Sequence, residues 1–84
     1  MAQASPETLS RVVELIRIAM PGSDDSELSR DADLYERGLD SSAAISLMLA
    51  VEERFSVAFP DYLLDDATFR TPGSLADAVQ GLLA

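Results

Sequence analysis

Apolar residues recur at helical spacing in three stretches of this chain, with polar and turn-forming residues between them. In the first, Leu9, Val12, Val13, Ile16 and Met20 fall on one face. Ser5-Pro6-Glu7 opens it with a hydroxyl N-cap, a proline at the first helical position and an acid in the first turn. Pro21-Gly22 ends it. The second stretch predicts a helix from about Ser41 to Phe55. Its stripe of Ala44, Leu47, Met48, Val51 and Phe55 faces a core, while Ile45 and Leu49 lie at the edge and stay partly exposed. The third begins at Thr71-Pro72-Gly73-Ser74 and carries Leu75, Ala78, Val79 and Leu82 inward.

Residues 22–39 hold no sustained period, yet Leu28, Leu34, Tyr35 and Leu39 can pin them to a core. Long ordered connections of this kind are often functional. After the second helix, Val57, Phe59 and Pro60-Asp61 mark an exit, and Tyr62 to Asp66 predicts one short helical turn with Leu63 and Leu64 inward. Nothing alternates long enough to make a strand, and no repeat, linker or low-complexity tract interrupts the chain. The expected fold is all-α: a small bundle of three main helices plus one short helix, with a long loop after the first. One domain spans 1–84, with 1–4 a frayed terminus.

Composition narrows the chemistry. A chain of 84 residues makes one small domain with a thin core. Cysteine is absent, which removes disulfides and thiolate sites. Histidine is absent too, and with it the commonest base and metal ligand, so no metal site is expected. All six cations are arginine. A net charge of −9 argues against nucleic acid or an anionic membrane as partner. That charge is concentrated between Asp24 and Asp66, where twelve acids face three arginines; the flanks are neutral. Such a surface keeps a small domain soluble, and it can also speed encounter with basic partner enzymes. No basic segment precedes an apolar run, and no apolar run reaches the span of a bilayer, so a cytoplasmic location is expected.

The most informative stretch is Leu34-Tyr35-Glu36-Arg37-Gly38-Leu39-Asp40-Ser41-Ser42. Gly38 permits a turn with positive φ, and Asp40 is a favoured N-cap. Ser41 then falls in the first turn of the helix with its hydroxyl on or near solvent. As a nucleophile of its own it would need an adjacent base, and no histidine, lysine or cysteine exists to serve. Carboxylates could do so only if buried and raised in pKa, and a bundle this small offers no obvious pocket for that. Direct catalysis finds little support. An ordinary capping serine, or an acidic helical module that binds a partner without any prosthetic group, is the plain alternative.

Gly38-Leu39-Asp40-Ser41, Leu49-Ala50-Val51-Glu52-Glu53-Arg54-Phe55 and Pro60-Asp61 together resemble the acyl and peptidyl carrier proteins in identity and spacing, over about Leu9 to Leu83. The resemblance implies a free-standing, monomeric carrier of a dedicated biosynthetic pathway, without catalytic activity. It implies 4′-phosphopantetheine on Ser41, with Asp40 part of the motif, and an acyl or aminoacyl cargo held as a thioester. Implied partners are a phosphopantetheinyl transferase, a cognate acyl- or aminoacyl-activating ligase, and a downstream acyltransferase or synthase. Ser42, Ile45, Ser46, Leu49, Glu52 and Glu53 are the implied docking residues. Two departures stand out. Ser42 occupies a position that is apolar in the usual motif, so either hydroxyl could be the acceptor; counting back from Glu52-Glu53 and Phe55 favours Ser41. Ala43, Ser46 and Arg54 stand where fatty-acid carriers place further acids, which leaves this face less acidic.

Overall fold

The computed structural model describes residues 3–21 and 28–83. Helix α1 runs Pro6–Ala19, α2 Ser41–Phe55, α3 Asp66–Phe69 and α4 Pro72–Leu83, with a 3-10 turn over Asp61–Leu63 before α3. Among the described residues there is no strand. The all-α bundle expected from the periodicity is what forms.

Each long helix starts where its capping chemistry lies. The Ser5 hydroxyl accepts from the Thr8 N–H, and Pro6 occupies the first turn. At α4 the cap is reciprocal: Thr71 Oγ1 accepts from the Ser74 N–H at 3.0 Å, and Ser74 Oγ accepts from the Thr71 N–H at 3.1 Å. Gly73 follows because its backbone N–H donates to the Arg30 carbonyl, 2.9 Å away. A Cβ there would collide with the Arg30 side chain.

Val12, Ile16, Leu34, Leu47, Val51, Leu75, Ala76 and Val79 form the fully buried centre of the core. Leu28, Leu34 and Leu39 pin the long loop to it as expected, and Tyr35 packs at its edge. The expected stripe of α4 is rotated slightly: Ala76 is buried, whereas Ala78 and Leu82 are half-buried.

Three further expectations need correction. The short helical turn lies at Asp66–Phe69, after a separate 3-10 turn, because Asp65 caps it by accepting from the Thr68 N–H. Leu64, between the two, is exposed and not inward; Leu63 is half-buried. Residue 4 is not frayed, since the Ala4 N–H donates to Asp77 Oδ1 at 2.8 Å. Gly22 and the acids at 24, 25 and 27 lie outside the described residues.

Candidate functional site

The approach to α2 is a tightly bonded turn. Asp33 Oδ1 accepts from the N–H groups of Tyr35 and Glu36 at 3.0 and 3.2 Å. The Leu34 carbonyl accepts from both Arg37 and Leu39. Gly38 reverses the chain at φ +107°, a region that side chains with a Cβ avoid. Leu39 then buries itself and Asp40 emerges in extended conformation, its carboxylate accepting from the Ala43 N–H at 2.8 Å. Ser41 is the first residue of the helix, and both it and Ser42 are exposed.

This placement suits an anion on a first-turn hydroxyl. The first turn of α2 contains no acid of its own, and the positive dipole end of a helix favours negative charge at such a position. Ser41, Ala44, Ile45 and Met48 follow i, i+3, i+4, i+7 spacing and so share a helix side. The last three line a groove of about 270 Å³ whose other wall is Tyr35, Leu64, Phe69, Asp65 and Asp66. The groove is open and mostly apolar, and Asp65 and Asp66 in its wall are exposed rather than buried. Hydrogen bonds from Thr68 hold Asp65 below the ordinary carboxylate range.

Of the expected docking residues, Ser42, Ile45, Ser46, Leu49 and Glu53 are exposed along α2. Glu52 is different. It is half-buried, and its Oε2 accepts from the Phe59 N–H at 2.7 Å, fixing the chain that leaves the helix. Sequence reasoning also missed a cluster that ties the approach turn to α3. Arg70 Nη1 pairs with Asp33 Oδ2 at 3.3 Å, and its guanidinium lies 5.2 Å from the centre of the Tyr35 ring. The Tyr35 hydroxyl donates to Asp66 Oδ1 at 3.4 Å. Burial, then the charge of Asp66, raises the Tyr35 pKa and keeps that donor protonated. These residues lie 31 and 37 positions apart, with no local pattern to join them.

Comparison with known proteins decides what the exposed serine turn belongs to. The family described as "Phosphopantetheine attachment site" matches residues 8–79. The chain belongs to that family. An aminoacyl carrier protein of Agrobacterium fabrum is 41% identical over 56 residues, 67% of this chain and 68% of that protein. The lincomycin biosynthesis protein LmbN of Streptomyces lincolnensis is 40% identical over 73 residues, 86% of this chain but only 26% of LmbN. Among solved structures, a crystal structure of an engineered Bradyrhizobium japonicum glycine:[carrier protein] ligase, complexed with a carrier protein from Agrobacterium tumefaciens and AMP, matches with TM-score 0.71. The identity there is 33%, over 87% of this chain and 95% of that one.

The chain is thus a carrier protein with covalent 4′-phosphopantetheine, acting with partner biosynthetic enzymes rather than catalysing a reaction itself. When bound, that group supplies a thiol on a flexible arm, where a carboxylic acid is carried as a thioester. At the start of α2 this chain offers exposed serine hydroxyls beside a capped helix end that favours negative charge. Among the described residues no helix is long and apolar enough to cross a membrane.

Proposed function

We propose that Ser41 is the attachment point and that the cargo is a small aminoacyl group, loaded by a stand-alone carrier-protein ligase. The observation that carries the first part is the exposed Ser41 hydroxyl in the first turn of α2, directly after the Asp40 cap. Ser42 is also exposed, but it lies one residue further from the cap and about 100° around the helix, away from the groove side. A phosphopantetheinyl transferase acting with coenzyme A installs the arm.

The aminoacyl reading is supported by two relatives, an aminoacyl carrier protein and a carrier protein that was crystallised with a glycine ligase. A dedicated pathway is supported by LmbN, which belongs to lincomycin biosynthesis, and by the outward side of α2. Ser42, Ser46 and Leu49 there leave Glu53 as the exposed carboxylate, so enzymes that dock on a more acidic helix lose complementary contacts. The carrier works free in the cytoplasm as a monomer, handing its cargo to an acyltransferase or synthase.

The test has two stages. Incubation with a broad-specificity transferase and coenzyme A adds one prosthetic-group mass to the wild type and to Ser42→Ala, and none to Ser41→Ala. Gain lost only in Ser42→Ala moves the site by one residue. The modified carrier is then offered to a glycine-activating ligase with ATP and, separately, to the malonyl-loading enzyme of fatty-acid synthesis. Mass gain with the first and not the second is expected; equal turnover by the second refutes the cargo reading.

A further inference from the structure

Leu34 and Leu39 seat the segment that delivers Ser41 in the core, and its polar ties to the rest of the chain run to one side. The Leu34 N–H donates to the Arg70 carbonyl at 2.7 Å, and the Arg70 guanidinium pairs with Asp33 and lies over the Tyr35 ring. Tyr35 in turn reaches Asp66 on α3. Asp33 is the hinge of this arrangement. One carboxylate oxygen accepts from Tyr35 and Glu36 and shapes the turn, while the other faces Arg70. Apart from the Asp33 bonds within the turn, these ties run to α3 or to Arg70, its C-cap.

α3 is a poor anchor by itself. It is four residues long, and Leu64, Asp65, Asp66 and Ala67 are all exposed; Thr68 and Phe69 alone fasten it to the core. What α3 lacks in burial, Arg70 supplies by bridging it to the turn. A planar guanidinium suits this because one side chain can pair with a carboxylate and stack on a ring at once.

We propose that Arg70 is a positioning residue for the modification of Ser41, acting through Asp33 and Tyr35 on the turn at 33–39. The proposal rests on the reading of Ser41 as the attachment point. With the tie in place the turn is held in the arrangement that presents Asp40 and Ser41 to the transferase. Without it the turn samples others, and the transferase meets a competent carrier only part of the time. An apparent affinity falls by the competent fraction. The loss therefore enters KM for the carrier, and kcat, set once the complex has formed, stays nearly unchanged.

The experiment measures transferase kinetics on the whole chain, with coenzyme A saturating, for wild type, Arg70→Gln, Asp33→Asn, the double variant and Arg30→Gln. Asp33→Asn retains an oxygen for the turn's N–H groups but removes the charge that Arg70 faces. Arg70→Gln is expected to raise KM about fivefold, as a competent fraction near one fifth would. Asp33→Asn should do nearly the same, and the double variant no more than the larger single, since coupled residues act on one state. Amide exchange at Glu36 to Leu39 should quicken in each. Arg30→Gln breaks a pair with Asp77 far along the chain and serves as the stability control. It should lower the melting temperature and leave KM alone.

Wild-type KM in Arg70→Gln overturns the proposal, as does an equal KM rise in Arg30→Gln. A rise in Arg70→Gln without one in Asp33→Asn also overturns it, because Arg70 then touches the transferase directly. If Arg70→Gln does not fold, Tyr35→Phe, which removes only the hydroxyl to Asp66, decides through the same exchange and KM readouts. Modification surviving in Ser41→Ala refutes the attachment reading instead, and does so whatever Arg70 does.

Discussion

The α1–α4 seam and the α2–α3 side of this carrier are built on opposite terms. At the seam, Val12 and Ile16 meet Leu75, Ala76 and Val79, all with no exposed surface. Polar ties close over them: Ser5 N–H and Thr8 Oγ1 both donate to Gln80 Oε1, and Asp77 accepts from Ala4 and Arg30. On the α2–α3 side, Ile45, Leu49 and Leu64 are 56%, 54% and 46% exposed beside an open groove. A domain this small has few residues to bury. It concentrates them where nothing needs to be reached and leaves uncovered the side on which Ser41 stands. Ile18 on α1 and Leu83 on α4 are exposed singly, as is ordinary on proteins, whereas Ile45 and Leu49 share one side of the helix that begins at Ser41, an arrangement that suits a surface read by partners.

Truncation on each side is the harshest way to break the comparison. Leu75→Ala at the seam is expected to cost about 3–5 kcal/mol, the transfer free energy of a buried leucine plus the cavity left behind. For a domain of this size that removes most of the stability. Ile45→Ala should change stability by less than about 0.5 kcal/mol, since a half-exposed side chain loses little burial and alanine favours the helix. Urea denaturation followed by circular dichroism reads both. Similar costs at the two sites would mean that the α2–α3 side bears weight after all.

The next test is acid. Burial pushes the Asp77 carboxyl up, but the Ala4 N–H and Arg30 outweigh it and hold its pKa below the ordinary value. A carboxyl depressed in the folded state adds stability that is fully present above its unfolded pKa, about 3.9. That stability is lost as pH falls through the lower, folded value. Asp77→Asn should therefore cost about 1 kcal/mol at neutral pH, discounted because the pair is a third exposed. It should also flatten the acid limb of the stability profile below about pH 4. An unchanged acid limb in Asp77→Asn would remove the clasp from the account of the seam.

How much of this was legible in the sequence follows the range of each interaction. Caps and stripes are local, so Ser5-Pro6, Asp40, Gly38 and the buried faces of α1 and α2 could be read directly. Ser41 at the start of α2 could be placed for the same reason. After Phe59 the pattern of apolar residues places both Leu63 and Leu64 inward, and only Leu63 packs against the core. The Asp65 cap instead starts the helical turn at Asp66, four residues after Tyr62, and strands Leu64 outside. Arg70 over Tyr35, Asp77 holding Ala4 and the Arg30 approach to Gly73 join residues with 35 to 73 positions between them, and no periodicity encodes such pairs.

The finest test lies on two neighbouring glutamates that the sequence treats as equals. Glu52 turns inward and accepts from the Phe59 N–H; Glu53 turns to solvent. Glu52→Gln keeps an acceptor but loses the charge that strengthens the bond, and should cost about 0.5–1 kcal/mol. Glu53→Gln should be neutral within about 0.5 kcal/mol. Loading by a cognate ligase should rank them the other way. Field complementarity acts through exposed charge and is screened by salt, so Glu53→Gln slows loading at low ionic strength and the difference fades as salt is added. Glu52→Gln slows it little, because that carboxylate already serves the chain. Stopped-flow loading across a salt series, beside melting curves, separates the two. Should Glu52→Gln slow loading as much as Glu53→Gln with no loss of stability, the boundary between the fastened and the presented surface would have to be drawn through Glu52 from the other side.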